Sequence, residues 1–246
     1  MVDHQFADER LAALYDEFHP WDPRGDFGFY LPMVMSAEAV LDVGCGTGML
    51  LHRAREAGHK GRLCGLDPGE GMLRRARVRS DVEWIDGDLS STAFRGEFDL
   101  VVMSGHAFQV FVTDEQLRSS LSAIRDALTG EGRFAFETRN PAARAWEGWT
   151  PENASEVIGA DGAVVRMSHQ VERPVIDDIV RFTTTYSSPG WDADEHSHSS
   201  LRFLDVPSLS GFLSEAGLAV EHQYGDWDGR PVTETGIEII TVAKRV

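Results

Sequence analysis

The feature that most constrains the fold of this chain is a glycine-rich stretch at residues 42–48, DVGCGTG, which directly follows an apolar segment. Glycines in such a stretch let the backbone turn sharply and approach a ligand closely. The next residues have helical spacing, with Leu50 and Ala54 on one face and Gly58 beyond the end. A helix N-terminus offers unpaired N–H donors and a partial positive charge, so this strand, turn and helix predict a site for an anionic or carboxylate-bearing group.

From residue 39 to residue 137, strand-like segments alternate with helical ones. Strands are predicted over AVLDVG, RLCGLD, VEWI, FDLVVM and GRFAFE, and the fourth is almost entirely apolar, as is typical of a strand covered on both faces. A helix is predicted to begin at Thr113, because Thr113 and Gln116 form a capping pattern. The alternation predicts an α/β fold of the Rossmann-like type, with a doubly wound, mostly parallel sheet of seven strands once two closing strands are included.

Four regions are expected along the chain. They are a helical N-terminal cap at 1–36, an α/β core at 37–137, an antiparallel β insertion at 138–204, and a closing helix with the last two strands at 205–246. The cap contains two amphipathic helical segments, and the two prolines of HPWDP at residues 19–23 predict a bend between them.

The β insertion is expected to follow the fifth strand, where a lid over the site would stand. Two β-rich segments, VIGADGAVVRMSHQVE and DDIVRFTTTYSS, precede a further predicted strand, LRFLDV, and Asp161-Gly162 marks a hairpin turn. The stretch that contains His196 and His198 is interpreted as an exposed loop. These two histidines could be metal ligands, but their spacing matches no established site, so no metal is predicted.

The charge balance limits the partners of this chain. Its 246 residues include 40 acidic and 23 basic side chains, and the formal charge of −17 would repel a nucleic acid backbone. Cys45 and Cys64 form neither a disulfide framework nor a paired zinc spacing, which fits a reducing compartment. No signal peptide pattern and no apolar run of about 20 residues is found. We expect a cytoplasmic monomer or homodimer that acts on a small molecule, with no nucleic acid and no membrane partner.

An acidic residue ends the second predicted strand. Asp67 lies 23 positions after Gly44, and a carboxylate at this place suits the two hydroxyls of a ribose, which indicates a nucleoside ligand. Met49 occupies the position where the dinucleotide fingerprint G-x-G-x-x-G requires its third glycine, so the spacing points away from NAD. No G-x-x-x-x-G-K-[ST] motif marks a nucleoside triphosphate site.

The motifs VLDVGCGTG, GLDPGEGML, DGDL and FDLVVMSGHAF occur in this order over residues 38–137. In this order they resemble the class I S-adenosylmethionine-dependent methyltransferases. The N-terminal YDEF and the β-rich insertion further resemble the small-molecule branch that includes sugar and amine N-methyltransferases. The resemblance implies S-adenosylmethionine as the cofactor.

The candidate cofactor-binding residues lie at the predicted strand ends and in part of the cap: Tyr15, Tyr30, Asp42, Gly44, Cys45, Gly46, Thr47, Gly48, Asp67, Pro68, Met72, Gly87, Asp88, Leu89, Met103 and Ser104. The methionine end of the cofactor would lie on residues 44–48, and the ribose on Asp67. The adenine ring would lie against Met72 and Leu89, with Asp88 at its amino group. Met103 and Ser104 would contact the methionine moiety and present the methyl group.

Methyl transfer is an in-line displacement, so the protein mainly has to align the nucleophile and exclude water. His106 follows the fourth strand and titrates near neutral pH, which makes it the candidate catalytic base, although it could simply pack there. Tyr15, Trp21 and Tyr30 could face a sulfonium through their rings, or could be core residues. Asp42 could hold the glycine loop by hydrogen bonding instead of contacting the ligand.

The sequence therefore predicts S-adenosylmethionine-dependent methyl transfer to an N or O nucleophile of a small molecule. Aromatic residues expected near the lid favour an apolar or ring-bearing acceptor. These residues are Trp146, Trp149, Tyr186, Trp191, Tyr224 and Trp227. Two alternatives remain open at this point: a nicotinamide-dependent oxidoreductase, and a module that binds an adenosyl ligand without turnover.

Overall fold

The structure is a computed structural model that describes residues 2–22 and 25–246. Three helices precede the first strand: α1 (His4–Ala7), α2 (Glu9–Phe18) and α3 (Asp26–Ser36). The sequence predicted two helical segments, and the additional α1 is a single turn too short to show a periodic apolar face. Pro23, at the end of the predicted bend, lies outside the described residues.

The remaining helices and strands alternate through the core and then form the insertion. The core contains β1 (Ala39–Val43), α4 (Met49–Glu56), β2 (Arg62–Asp67), α5 (Glu70–Ala76), β3 (Glu83–Asp86), β4 (Phe98–Met103), α6 (Asp114–Ala127) and β5 (Leu128–Arg139). The insertion contains β6 (Ser155–Ile158), β7 (Val164–Val171), β8 (Ile179–Ser187) and β9 (Glu195–Arg202). The chain closes with α7 (Val206–Glu215), β10 (Leu218–Tyr224) and β11 (Glu238–Arg245). Short 3-10 turns include Ala107–Val110 after β4.

The main sheet has seven strands in the order β3-β2-β1-β4-β5-β11-β10, and β11 runs antiparallel to both of its neighbours. The predicted fold class is therefore confirmed. The strand order reverses between β1 and β4, which pair in parallel with Asp42 opposite Val102. Ligands in open α/β sheets bind beyond the carboxyl ends of the strands at such a reversal. This carboxyl edge of the sheet is where the glycine-rich stretch and the loop after β4 meet.

Apolar side chains cover both faces of the sheet. On one face α6 and α7 pack against Phe134 and Phe136 of β5, and on the other α3 and α4 pack against Leu100 and Val102 of β4. The capping box at Thr113 begins α6 as predicted. In the ranges 2–22 and 25–246, no helix combines the length and the apolar character needed to span a membrane.

The insertion forms a separate four-stranded antiparallel sheet in the order β6-β7-β8-β9. The predicted exposed loop around His196 and His198 is wrong, because these residues belong to β9, and the strand predicted over LRFLDV lies mostly beyond its end. Sequence patterning missed β9 because its inward face is polar: Ser197 accepts from the Gln5 N–H at 3.1 Å, and Ser199 is buried beside it. The two histidines point to the opposite face and contact threonines of β8.

Candidate active site

The glycine-rich stretch forms a tight loop between β1 and α4. Gly44, Gly46 and Gly48 have φ angles of +73°, +55° and +79°, which side chains other than glycine rarely adopt. A Cβ at Gly48 would lie 2.4 Å from the Trp84 ring, whereas a Cβ at Gly46 would meet nothing within 4 Å. No side chain caps the N-terminus of α4. The loop thus offers open space and helix N–H donors, which fits the carboxylate end of a bound methionine moiety.

Asp67 joins this loop to the loop after β2. Its Oδ2 accepts from the Gly46 N–H at 2.8 Å and its Oδ1 accepts from the Gly69 N–H at 2.7 Å. Burial raises the pKa of Asp67, and the two backbone donors oppose that effect. Each carboxylate oxygen retains a second lone pair for a ribose hydroxyl. The structure therefore brings Asp67 and the glycine loop together as the sequence predicted.

Asp42 and Cys45 are buried near this loop. Burial, together with the charge of Asp67, raises the pKa of Asp42 to about 8. Among residues 2–22 and 25–246, Asp42 Oδ1 has no hydrogen-bond partner, whereas Asp67 accepts from the Gly46 N–H of the loop. Burial also raises the pKa of the Cys45 thiol, which fits a small packing residue and not a nucleophile.

The residues predicted for the adenine side lie on two neighbouring loops. β2 and β3 pair with Asp67 opposite Asp86, so the loops after these strands run side by side. Met72 and Leu89 are buried, whereas Pro68 and Asp88 are exposed. The Asp88 carboxylate accepts from the Ser90 N–H at 2.8 Å. Gly87, in the same loop as Asp88, has a φ of +143°.

The N-terminal cap contacts the same edge of the sheet. Thr47 Oγ1 in the glycine loop donates to Asp16 Oδ1 at 2.6 Å, so α2 is fastened to the loop. The Tyr15 hydroxyl lies 3.7 Å from the Cβ position of Gly105 in the loop after β4, and its ring stacks on His19. Burial raises the pKa of Tyr15 to about 12. The side chain of Tyr15 thus extends from the cap toward the loop after β4.

Tyr30 and Trp21 occupy different environments from Tyr15. Tyr30 is completely buried, and its hydroxyl donates to Glu137 Oε2. Its ring packs edge-on against Trp227, so no face of it is open to the glycine loop. Trp21 stacks on Phe27, 5.1 Å between ring centroids. In this structure Tyr30 acts as a support for β5.

His106 is held by two acidic residues beside the glycine loop. Its φ is +61°, its backbone N–H donates to Glu137 Oε1 at 2.7 Å, and its Nε2 lies 2.9 Å from Glu238 Oε2. A Cβ at Gly44 would lie 2.8 Å from the next residue, Ala107, so the loop after β4 touches the glycine loop. Met103 and Ser104 immediately precede this loop, and Met103 is buried.

The imidazole of His106 is suited to accept a proton. Burial and then the charge of Arg139 lower the pKa of His106, while Glu238 raises it. The ring is therefore neutral at pH 7. When Nε2–H donates to Glu238, the lone pair on Nδ1 is available, and the carboxylate stabilises the imidazolium that forms.

Three charged residues at this site were missed from the sequence: Glu137, Arg139 and Glu238. Glu137 and Arg139 end β5, and Glu238 begins the antiparallel β11 opposite Arg139. Two charged side chains at the end of the apolar run GRFAFETR were a usable signal, because ligands gather at the carboxyl ends of strands. Glu238 gave no such signal, since only the antiparallel pairing brings the start of β11 to this edge.

The predicted lid aromatics divide among three places. Trp149 packs on Phe182 beside Arg139, and Trp146 packs on Phe203, both in the insertion region. The others lie elsewhere. Tyr186 is buried and donates to Gln5, Trp191 packs under Arg10, and Tyr224 and Trp227 pack against Phe29.

The fold and the loops at its carboxyl edge are those of an α/β domain of the class that takes nucleoside ligands at this edge. Residues 40–132 match the family described as Methyltransferase domain. A cypemycin N-terminal methyltransferase from a Streptomyces species is 25% identical over 217 residues, which cover 86% of this chain and 84% of the relative. The comparisons thus show a methyltransferase domain over residues 40–132, of the kind that uses S-adenosylmethionine.

Solved structures agree with this fold. A S-adenosylmethionine-dependent methyltransferase from Clostridium acetobutylicum superposes with a TM-score of 0.76 at 16% identity, covering 95% of this chain and 97% of the other. An amino pentose methyltransferase from Micromonospora echinaspora, solved with bound S-adenosylmethionine, gives 0.68 at 20% identity, covering 95% and 97%. The predicted enzyme class and cofactor are confirmed, and the nicotinamide alternative gains no support.

Proposed function

We propose that this enzyme methylates a nitrogen or oxygen nucleophile of a small molecule, with His106 as the catalytic base. The observation that carries the proposal is the position of His106 between Glu137 and Glu238, beside the glycine loop. A neutral histidine with a carboxylate on one ring nitrogen and a free lone pair on the other is the arrangement expected of a base near pH 7.

The residues of this chain fit the two ends of the cofactor. The glycine loop with the uncapped N-terminus of α4 would hold the methionine moiety, and Asp67 would hold the ribose. Bound S-adenosylmethionine supplies an electrophilic methyl group on a sulfonium, whose sulfur leaves as a neutral thioether after in-line displacement. Tyr15 of α2, whose hydroxyl approaches Gly105 in the loop after β4, helps to exclude water from this edge.

The protein must also manage the acceptor proton. His106 Nδ1 takes one proton from the acceptor nitrogen or hydroxyl, and Glu238 holds the ring and stabilises its charged form. Glu137 positions His106 through the backbone N–H and is itself fixed by Tyr30. The proton then leaves to solvent, which returns the imidazole to its neutral form.

Two relatives support an amine acceptor. The Streptomyces relative is named an N-terminal methyltransferase, and the Micromonospora structure an amino pentose methyltransferase. A formal charge of −17 opposes a nucleic acid acceptor. An oxygen acceptor is the second candidate, since a 26% identical relative from Anoxybacillus flavithermus is a malonyl-[acyl-carrier protein] O-methyltransferase.

The test combines cofactor binding with turnover. Calorimetry with S-adenosylhomocysteine measures the cofactor site, and transfer of labelled methyl groups to amino sugars and N-terminal amines measures catalysis. His106→Gln should lower turnover by about 10²–10⁴-fold while affinity for S-adenosylhomocysteine stays within a few-fold. His222→Gln, on the exposed surface of β10, is the matched control and should leave both unchanged.

Two outcomes would contradict the proposal in different ways. Absence of S-adenosylhomocysteine binding would remove the cofactor assignment. Full turnover in His106→Gln would remove the base assignment but leave methyl transfer intact.

A further inference from the structure

Arg139 ends β5 at the carboxyl edge of the sheet, and its guanidinium has an unusual environment. Nη1 donates to Gln109 Oε1 at 3.0 Å, and Cζ lies 5.2 Å from the centre of the Trp149 ring. Within residues 2–22 and 25–246, no carboxylate forms an ion pair with it. Arg202, another arginine with little exposed surface, pairs with both Asp114 and Asp178. Arg139 therefore retains unused N–H donors and has no direct ion pair, while the charges of Glu238 and Glu137 act on it from a greater distance.

Arg139 lies where the cap, the core and the insertion meet. Burial lowers the pKa of three histidines, and the positive charge of Arg139 adds to the effect on each. These are His19 after α2, His106 after β4 and His169 on β7. Glu238, which lies opposite Arg139 in the sheet, contacts His106, and the Trp149 ring beside Arg139 lies near the His169 ring, so Arg139 borders the space between His106 and the insertion. This space is next to the proposed base, where an acceptor under the insertion would bind.

The guanidinium is held rigidly in this space. Gln109 is buried, and its amide donates to the Arg202 carbonyl of β9 at 2.9 Å while its oxygen accepts from Arg139. An arginine fixed in this way loses little conformational freedom when it binds a planar anion. A charged group in a largely desolvated position is costly unless a partner compensates it.

We propose that Arg139 binds a carboxylate group of the methyl acceptor and thereby orients the nucleophile of the acceptor toward His106. The inference rests on the proposed function and adds the substrate class: a small molecule that carries a carboxylate in addition to its amine or hydroxyl. The planar guanidinium presents two parallel N–H donors that match the two oxygens of a carboxylate.

A single negative charge fits the site better than a phosphate dianion. The three surrounding histidines are neutral at pH 7, because the pKa of each is lowered. Arg139 is then the cation that faces the acceptor, and Glu238 is close enough to oppose additional negative charge. The rings of Trp149, Phe182 and His169 pack together and offer a surface for an apolar body on the same molecule.

The experiment uses enzyme saturated with S-adenosylhomocysteine, so that cofactor binding is established first. Monocarboxylates from acetate to 3-phenylpropionate are then titrated by calorimetry, beside 3-phenylpropanamide and 2-phenylethyl phosphate. At least one carboxylate should bind at least tenfold more tightly than its amide and than the phosphate. Arg139→Gln should weaken the binding of that carboxylate by about 10- to 100-fold, whereas Arg139→Lys should weaken it less. Arg133 is an exposed arginine of the same strand, and Arg133→Gln should leave the affinity for the carboxylate unchanged.

Several results would overturn the inference. They are failure of every carboxylate to bind, equal affinity for acid and amide, tighter binding of the phosphate, or unchanged affinity in Arg139→Gln. The comparison of acid with amide on the unsubstituted enzyme decides the question even if Arg139→Gln does not fold. Failure of S-adenosylhomocysteine to bind in the first step would instead count against the proposed function.

Discussion

The contact between His106 and Glu238 gives the sharpest prediction about catalysis. Glu238→Gln keeps the shape of the side chain but removes the negative charge that faces Nε2 at 2.9 Å. The neutral imidazole loses little stabilisation, because the amide oxygen of glutamine can still accept a hydrogen bond from Nε2–H. The imidazolium loses its charged partner, so the change acts on the state that forms when His106 takes the proton.

The size of the effect follows from distance and burial. The side chains of His106 and Glu238 are 18% and 13% exposed, so solvent screens the pair only partly. Coulomb's law with an effective dielectric of about 20 gives about 4 kcal/mol at ~4 Å between charge centres, which is an upper bound. Hydrogen bonds to charged groups contribute about 1.5–3 kcal/mol in mutational series. We therefore expect methyl transfer to slow by about 10- to 150-fold.

Two measurements test this prediction. Single-turnover transfer of labelled methyl groups gives the rate, and NMR titration of the His106 ring, assigned with His106→Gln, gives its protonation. Because Glu238 raises the pKa of His106, Glu238→Gln should lower that pKa further. Affinity for S-adenosylhomocysteine should stay within a few-fold.

The matched control is Glu221→Gln on β10, whose carboxylate contacts Arg133. It should leave the rate and the His106 titration unchanged. If Glu238→Gln transfers methyl groups at the normal rate although its His106 pKa has fallen, His106 does not act as the base. If the His106 titration does not move, the contact with Glu238 does not exist in solution.

Three further predictions concern stability and the cap. Burial raises the pKa of Glu137 to about 8 from an ordinary 4.5, so between these pH values the folded chain retains a proton that the unfolded chain releases. The free energy of unfolding should therefore fall as the pH rises from 4.5 to about 8, and it should fall less in Glu137→Gln. Denaturant titrations at several pH values that give both proteins the same pH dependence would refute this. Gly65→Ala would place a Cβ 2.5 Å from the Trp84 ring and should lower the free energy of unfolding by about 1–3 kcal/mol. In a double-mutant cycle Trp84→Leu should restore part of this loss, and additive effects of the two substitutions would argue against the contact. Asp16→Ala removes the acceptor of the Thr47 hydroxyl and should weaken S-adenosylhomocysteine binding by about fivefold, a loss of ~1 kcal/mol. An unchanged affinity by calorimetry would show that α2 does not stabilise the loop.

Much of the sheet was predictable because its signals are local. β1 and β4 are apolar runs bounded by turn residues, and the capping box of α6 lies within four consecutive residues. β9 was not predictable in the same way, since Ser197 and Ser199 face inward and are satisfied by the N-terminal segment. A strand whose buried face is polar has no alternation of apolar residues to detect.

The candidate site, like the sheet, combines residues that local sequence predicted with residues that it did not. Asp67 and the glycine loop were found because each follows a strand directly and the strands are neighbours. Tyr30 illustrates the limit: its helical spacing is compatible with the core and with the cofactor, and the structure places it in the core, on Glu137. The prediction for His106 gave its position in the chain but not the two carboxylates that hold it.

The sequence by itself determined the alternating strands and helices and the glycine loop with Asp67, because each depends on residues close together in the chain or at the ends of adjacent strands. The resemblance of its motifs to a known family implied the cofactor. Only the tertiary structure decided which charges meet beside His106. Glu238 reaches that place because β11 runs antiparallel to β5. The packing of the insertion over the ends of the strands leaves Arg139 half-buried and without a direct ion pair among the described residues. Burial and pairing of this kind are set by the whole fold, and they determine which proton His106 can take and which anion Arg139 can bind.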